Sequence, residues 1–320
     1  MGAPAPAVAG QPATRDLLGA GLLVLAWVFF TTEMVLMRIL SDDLALAQIA
    51  LVRTATQALL LAPLVVFTAG RVLATARAPM HIARSMLSQG GMLLFYGAFS
   101  LLPLALATTL TFTQASFITV LAVIFLGERI GWRRITAVVL GFFGVLVVMR
   151  PGLGGFEPAM LIALTGALVA AALMIVTRSL SKTDGRFTIM LYASWLGLVW
   201  MAVPAYLTWQ PVAAEHVPLL AVLAFAGTIG QFLMVGAFQV AEASTLAPVD
   251  YVRLLFAVAA GYFVFAELPD VWTFVGSAII CASVAIIIVR TPASSVAKGV
   301  EVPPPGVPRR TPSDFTNERS

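Results

Sequence analysis

Four ionisable residues stand where few can be kept: Glu33, Arg53, Asp250 and Arg253 each lie inside a long apolar stretch of the chain. A charge in hydrocarbon is costly, so such residues face a bundle interior or a water-filled cavity and mark a path for solute or proton. Glu33 and Arg53 occupy the two arms of the first apolar hairpin at similar depth, and two roles are open to them. Either they form a structural ion pair that locks the hairpin, or Arg53 holds an anionic group of a solute while Glu33 takes or releases a proton. Asp250 and Arg253 are three residues apart, hence on one helical face. Arg253 stands roughly 14 Å into its span at ~1.5 Å per residue, near the middle of a core of ~30 Å. Too deep to snorkel, it needs Asp250, Glu33, a backbone carbonyl or a solute as partner. Tyr96, Gln114, Gln231 and Tyr251 add polar groups that are costly to leave unpaired at depth. These eight residues form the candidate substrate-binding set. Pro248 removes one backbone hydrogen bond, freeing a carbonyl toward solute or allowing a packing kink. Glu128 and Glu267 end their helices and stabilise the next helix through its dipole, a structural or gating role.

The same inventory excludes other chemistry. Cys281 is the single cysteine and lies in the last apolar stretch, so no internal disulfide or cysteine-based metal site can be built. His81 and His216 fall in connections between stretches. An intramembrane protease or metalloenzyme would need histidines at depth, so no catalytic residue, metal or cofactor is expected. No phosphate-cradling Gly-x-x-x-x-Gly-Lys loop is present to drive transport by nucleotide hydrolysis. The net charge of +4 does not point to nucleic acid, because the basic residues sit at segment ends, where they set topology.

The elements that must position these groups are membrane-spanning helices. Hydrophobic residues make up 60% of the chain and charged ones 11%, against about 25% charged in a soluble domain. The pattern predicts an all-α membrane protein of ten transmembrane helices. They fall at about 17 to 40, 45 to 68, 83 to 102, 105 to 126, 131 to 149, 158 to 179, 187 to 208, 217 to 239, 244 to 266 and 271 to 289. The apolar run from Leu17 is too long for the apolar core of a signal peptide and no small-x-small cleavage pattern follows it, so it is expected to be the first transmembrane helix, a signal peptide being the alternative. Residues 1–16 and 291–320 are expected to be disordered and cytoplasmic, the latter being Pro-rich and polar.

Two sets of five helices, 17–150 and 158–290, repeat each other. A shift of 139 positions lays Gly97-Ala98-Phe99 on Gly236-Ala237-Phe238, Phe117 on Phe256 and Glu128 on Glu267 without a gap. A repeat with an odd number of spans is inverted relative to its twin, an arrangement that belongs to transporters with a midplane site. With the N-terminus inside, fifteen of the nineteen basic residues fall on the cytoplasmic side, and only Arg38 and Arg150 fall outside. Setting aside the last four of the tail still leaves eleven against two, so both termini are expected in the cytoplasm.

The run Pro103-Leu104-Ala105, the helix end Leu126-Gly127-Glu128-Arg129, and the Gly141 and Gly144 helix closing on Arg150-Pro151-Gly152 resemble the EamA family of the drug/metabolite transporter superfamily. The second half repeats the pattern with Glu242-Ala243-Ser244, Pro248-Val249-Asp250-Tyr251-Val252-Arg253-Leu254, Ala266-Glu267 and Gly276. The resemblance implies two inverted five-helix repeats, a central cavity lined by the first four helices of each, and alternating access for a small-molecule substrate. It also implies lipid as the surrounding medium, and the fifth and tenth helices as either scaffold or homodimer-contact elements. Members carry amino acids, aromatic solutes, S-adenosylmethionine, riboflavin or metallophores. The Arg-Pro-Gly and Asp-Tyr-x-Arg-Leu stretches resemble most the branch of S-adenosylmethionine and riboflavin carriers. The resulting expectation is a secondary transporter of the bacterial inner membrane for such a metabolite. An amino-acid exporter is the alternative within the class, and a non-transporting membrane scaffold or sensor the alternative outside it. The charges at depth argue against a scaffold, since a bundle that only packs has little use for them.

Overall fold

The computed structural model describes residues 12–288 except 69, 71–72, 127–131, 151–155, 182, 242–245 and 247–248. Hydrocarbon offers no partner to a backbone N–H or C=O, so a chain this apolar satisfies its main chain within helices. The described elements are α1 (Pro12–Leu40), α2 (Leu46–Phe67), α3 (Ala78–Leu101), α4 (Leu104–Thr111), α5 (Gln114–Leu126), α6 (Trp132–Met149), α7 (Ala159–Leu180), α8 (Arg186–Leu207), α9 (His216–Val240), α10 (Val252–Phe265) and α11 (Val271–Ile288). With α4 and α5 as two halves of one span, these make ten transmembrane helices in two inverted repeats of five. Among the described residues, six stretches are long and apolar enough to cross a membrane by length and composition: Asp16–Leu40, Leu46–Phe67, Leu104–Phe125, Ala159–Thr177, Phe187–Leu207 and His216–Val240. At 24 residues α3 has the length, but it buries His81, Ser85, Gln89 and Tyr96 inside the bundle.

The packing obeys one exchange rule. The most extensive contacts join α1 to α9, α6 to α11, α3 to α7 and α2 to α8. Exchanging each helix for its counterpart in the other repeat turns α1 with α9 into α7 with α3, and leaves α2 with α8 and α6 with α11 unchanged. The contacts of α10 with α1 and of α4 and α5 with α7 form another exchanged pair. This is the signature of a two-fold axis relating the repeats. In the α6–α11 pair, a Cβ on Gly276 would come within 2.9 Å of the Gly144 carbonyl oxygen, so glycine there permits backbone contact.

Three sequence expectations are corrected. The fourth span is not one helix: Phe112 and Thr113 form a turn between α4 and α5. Phe112 N donates to Thr109 O (3.2 Å), Thr113 N to Leu110 O (3.1 Å) and Ala115 N to Phe112 O (3.2 Å), a tightening to i→i+3 bonds. Threonine hydroxyls drive it by competing for ladder carbonyls: Thr109 Oγ1 donates to Ala105 O and Thr111 Oγ1 to Thr108 O. His81 is not in a connection but in the first turn of α3 and buried. Helix α1 begins at Pro12, where a disordered segment was expected, because proline suits a first helical turn. Glu128, Pro248 and the C-terminal tail lie outside the described residues.

Candidate substrate cavity

Two clusters of charge meet at a cavity of about 320 Å³ lined by α1, α2, α3, α4, α5, α7, α9 and α10. In the first, Glu33 and Arg53 face one another across the α1–α2 hairpin. Arg53 Nε donates to Glu33 Oε1 at 3.2 Å, and Tyr96 OH donates to the same oxygen at 2.7 Å. The other guanidinium nitrogens reach Gln57 Oε1 (3.1 Å) and Gly227 O (3.5 Å), so the cluster ties α1, α2 and α3 to α9. Glycine at 227 seats the carboxylate, since a Cβ at that position would lie 2.5 Å from Glu33 Oε2 and displace it. Side-chain exposures of 7% for Glu33 and 14% for Arg53 make this a buried pair, stabilised only while both partners and the tyrosine remain in place.

The second cluster belongs to α10. The Arg253 guanidinium carbon lies 3.9 Å from the ring centre of Phe112 and 5.1 Å from that of Trp27, the geometry of cation–π attraction. Its Asp250 contact is long, Nε to Oδ2 at 3.7 Å, and Nε has no hydrogen-bond partner among the described residues. Asp250 is held elsewhere, its Oδ1 accepting from Trp27 Nε1 at 3.1 Å. Arg253 is thus a cation held between two rings on the cavity wall, its Nε without a hydrogen bond among the described residues.

Six of the eight candidate residues line the cavity: Glu33, Arg53, Tyr96, Gln114, Gln231 and Arg253. Asp250 and Tyr251 do not. Tyr251 stands at a turn just before α10, which rotates its ring toward α11, and its OH donates to Cys281 O at 2.9 Å. Sequence reasoning did not single out Trp27, Phe112 and Gln57. Trp27, Phe30 and Glu33 follow one another three residues apart on α1, and that spacing was the signal that could have placed Trp27 on the cavity face.

Polar networks between repeats flank the cavity at both ends of the bundle. At one end Ala266, in the left-handed region (φ 55°), turns the chain so that Glu267 caps α4 through Leu104 N (3.0 Å) and pairs with Arg38 (2.6 Å). Beside it, Arg150 pairs with Asp270 at 2.5 Å. Burial raises the Asp270 carboxyl, but bonds from Thr273 and the Arg150 charge outweigh it and hold the group below its ordinary value. At the other end, Thr75 Oγ1 and His81 Nε2 each lie 2.6 Å from Asp184 Oδ2, and Tyr192 stacks on His81 at 4.5 Å. The Thr75 bond first, then His81, holds the Asp184 carboxyl below its ordinary value. Arg77 adds bonds to the Ser179 carbonyl and hydroxyl at 2.9 and 3.1 Å.

The model of the EamA-like transporter family matches residues 17–150 and 157–289. The S-adenosylmethionine uptake transporter of Rickettsia bellii is 29% identical over 272 residues, covering 85% of this chain and 93% of that protein. The riboflavin transporter of Vibrio cholerae is 30% identical over 209 residues, 65% of this chain and 70% of that protein. The pseudopaline exporter CntI of Pseudomonas aeruginosa is 26% identical over 272 residues, 83% of this chain and 94% of that protein. A solved structure superposes with a TM-score of 0.57 at 13% identity, covering 87% of this chain and 98% of its own, a likeness of fold alone.

Proposed function

Since the chain belongs to the EamA-like transporter family, we propose that it moves a nucleotide-derived or vitamin-type metabolite, of which the S-adenosylmethionine type is the leading member, by alternating access. The observation that carries this reading is Arg253, a cavity-lining guanidinium stacked on Phe112 whose Nε makes no hydrogen bond among the described residues. Forked guanidinium donors suit a carboxylate or a carbonyl-rich edge, and the rings of Trp27, Phe30, Phe95 and Phe99 lining the same cavity suit a planar heteroaromatic. S-adenosylmethionine offers both, a carboxylate at one end and a purine at the other. Riboflavin, with its carbonyl-edged flat ring, is the second reading, supported by the relative of that name.

In this account Gln114 and Gln231 supply neutral hydrogen bonds to the solute, and the Glu33–Arg53–Tyr96 cluster forms the floor of the site. Asp250 is the resting partner of Arg253. Glu267, through Arg38 and the α4 N-terminus, gates one end. The chain lies in the bacterial inner membrane with both termini cytoplasmic, which the bias of basic residues supports.

Proteoliposomes of the full-length protein test the substrate. They should accumulate labelled S-adenosylmethionine or riboflavin in a manner lost in Arg253→Ala. Transport confined to a cationic drug, indifferent to both metabolites, would overturn the reading of the arginine.

A further inference from the structure

Resting on the transport reading above, we propose that Phe112 and Tyr251 are the pivot about which the two repeats alternate, Tyr251 being a positioning residue and not a substrate contact. The shift of 139 positions that superposes the repeats lays Phe112 on Tyr251. Each stands at an interruption of its span: Phe112 and Thr113 are a turn between α4 and α5, and Tyr251 is a turn between helical residues 249–250 and α10. The two rings pack against one another, centroids 5.3 Å apart at 41°. Counterparts in two repeats related by a two-fold axis can touch each other only where the axis passes between them. A pair packed across that axis belongs equally to both repeats, so a hinge between them can act there without favouring either.

The interruptions supply the dihedral freedom that a tilt requires, since element ends absorb φ/ψ change more readily than continuous helix. Close to the first interruption, the Thr113 and Ser116 hydroxyls are fully buried and find no hydrogen-bond partner among the described residues. An unpaired buried hydroxyl disfavours the arrangement that strands it, so this segment is under bias to rearrange. Tyr251 is anchored on its far side, its OH donating to Cys281 O in α11. Phe112 carries the Arg253 guanidinium on its ring. A tilt at the stacked pair is therefore transmitted to the cation that faces the cavity, while Tyr251 itself stays off the cavity wall.

The test reads alternation without needing a transported metabolite. In a Cys281→Ala background, Ala170→Cys places a thiol on the cavity wall, and right-side-out and inside-out membrane vesicles expose it to an impermeant maleimide from either side. The background should be labelled from both sides. Tyr251→Ala should lower the rate from one side at least tenfold, whereas Tyr251→Phe, which keeps the ring, should label like the background. Once a substrate is in hand, Tyr251→Ala should lower the maximal rate and leave half-saturation within about threefold. If Tyr251→Ala does not accumulate in the membrane, Thr113→Val takes its place, with labelling from one side slowed several-fold. Background labelling from one side only, or labelling of these variants from both sides at background rates, overturns the pivot. Failure of every tested metabolite to move, with two-sided labelling intact, counts against the substrate reading alone.

Discussion

The Arg253 guanidinium carbon lies 3.9 Å from the ring centre of Phe112, while its Nε stands 3.7 Å from Asp250 Oδ2. The ring and the aspartate hold the guanidinium together, and neither gives its Nε a hydrogen bond. A charge-assisted hydrogen bond contributes about 1.5–3 kcal/mol, so Arg253→Ala should weaken solute binding by roughly 10- to 100-fold. Arg253→Lys should recover little of it, since a lysine cannot present the planar fork. Binding by Arg253→Lys at native strength would show that only charge matters.

Gly227 is the second point of attack. A methyl group there meets Glu33 Oε2 at 2.5 Å and forces the carboxylate off Arg53 and Tyr96. Gly227→Ala should destabilise the protein by about 1–3 kcal/mol, as overpacking does, read as a lower thermal midpoint in detergent. Gly236→Ala, where a Cβ finds only Leu22 at 3.9 Å, is the control and should change little. Equal midpoints for the two variants would contradict the tight seat of Glu33.

The hairpin pair Glu33–Arg53 was legible in the sequence because an acid and a base at like depth on adjacent spans have few other partners. Arg253 was legible for the same reason. The break at Phe112–Thr113 was not, because 104–126 is apolar without glycine or proline and its threonines act on the backbone locally. That local choice also misled the reading of Tyr251. A continuous helix through 250–253 would put it near the cavity, whereas the turn before α10 sends its ring to α11. His81 was misplaced because Pro79 marks the start of α3 and not, as polarity suggested, a loop.

Asp184 predicts a pH response. Its folded-state carboxyl is depressed by Thr75 and His81, so its contribution to stability is present above the ordinary value of about 3.9 and is lost as pH falls through the depressed one. Thermal midpoints should drop on acidification below about pH 4, and Asp184→Asn should flatten that limb while lowering the midpoint at neutral pH. An unchanged acid limb in Asp184→Asn would remove this group from the linkage.

The orientation of the chain has its own check. A cysteine at Lys182 in the Cys281→Ala background should react with an impermeant maleimide only in inside-out vesicles. Reaction in intact cells from the periplasmic face would reverse the topology drawn from the basic residues.

The most direct measurement of the central claim, that Arg253 reads the anionic end of a nucleotide-derived solute, is a thermal-shift titration of the purified protein with S-adenosylmethionine and with its carboxyl methyl ester. Ligand at about 100 times its Kd adds ~2.7 kcal/mol of stability, enough to resolve. The native protein should be stabilised by the acid at concentrations at least tenfold below those needed for the ester, and Arg253→Ala should respond to both alike and weakly. Equal stabilisation of the native protein by acid and ester, or an undiminished preference for the acid in Arg253→Ala, would contradict the account.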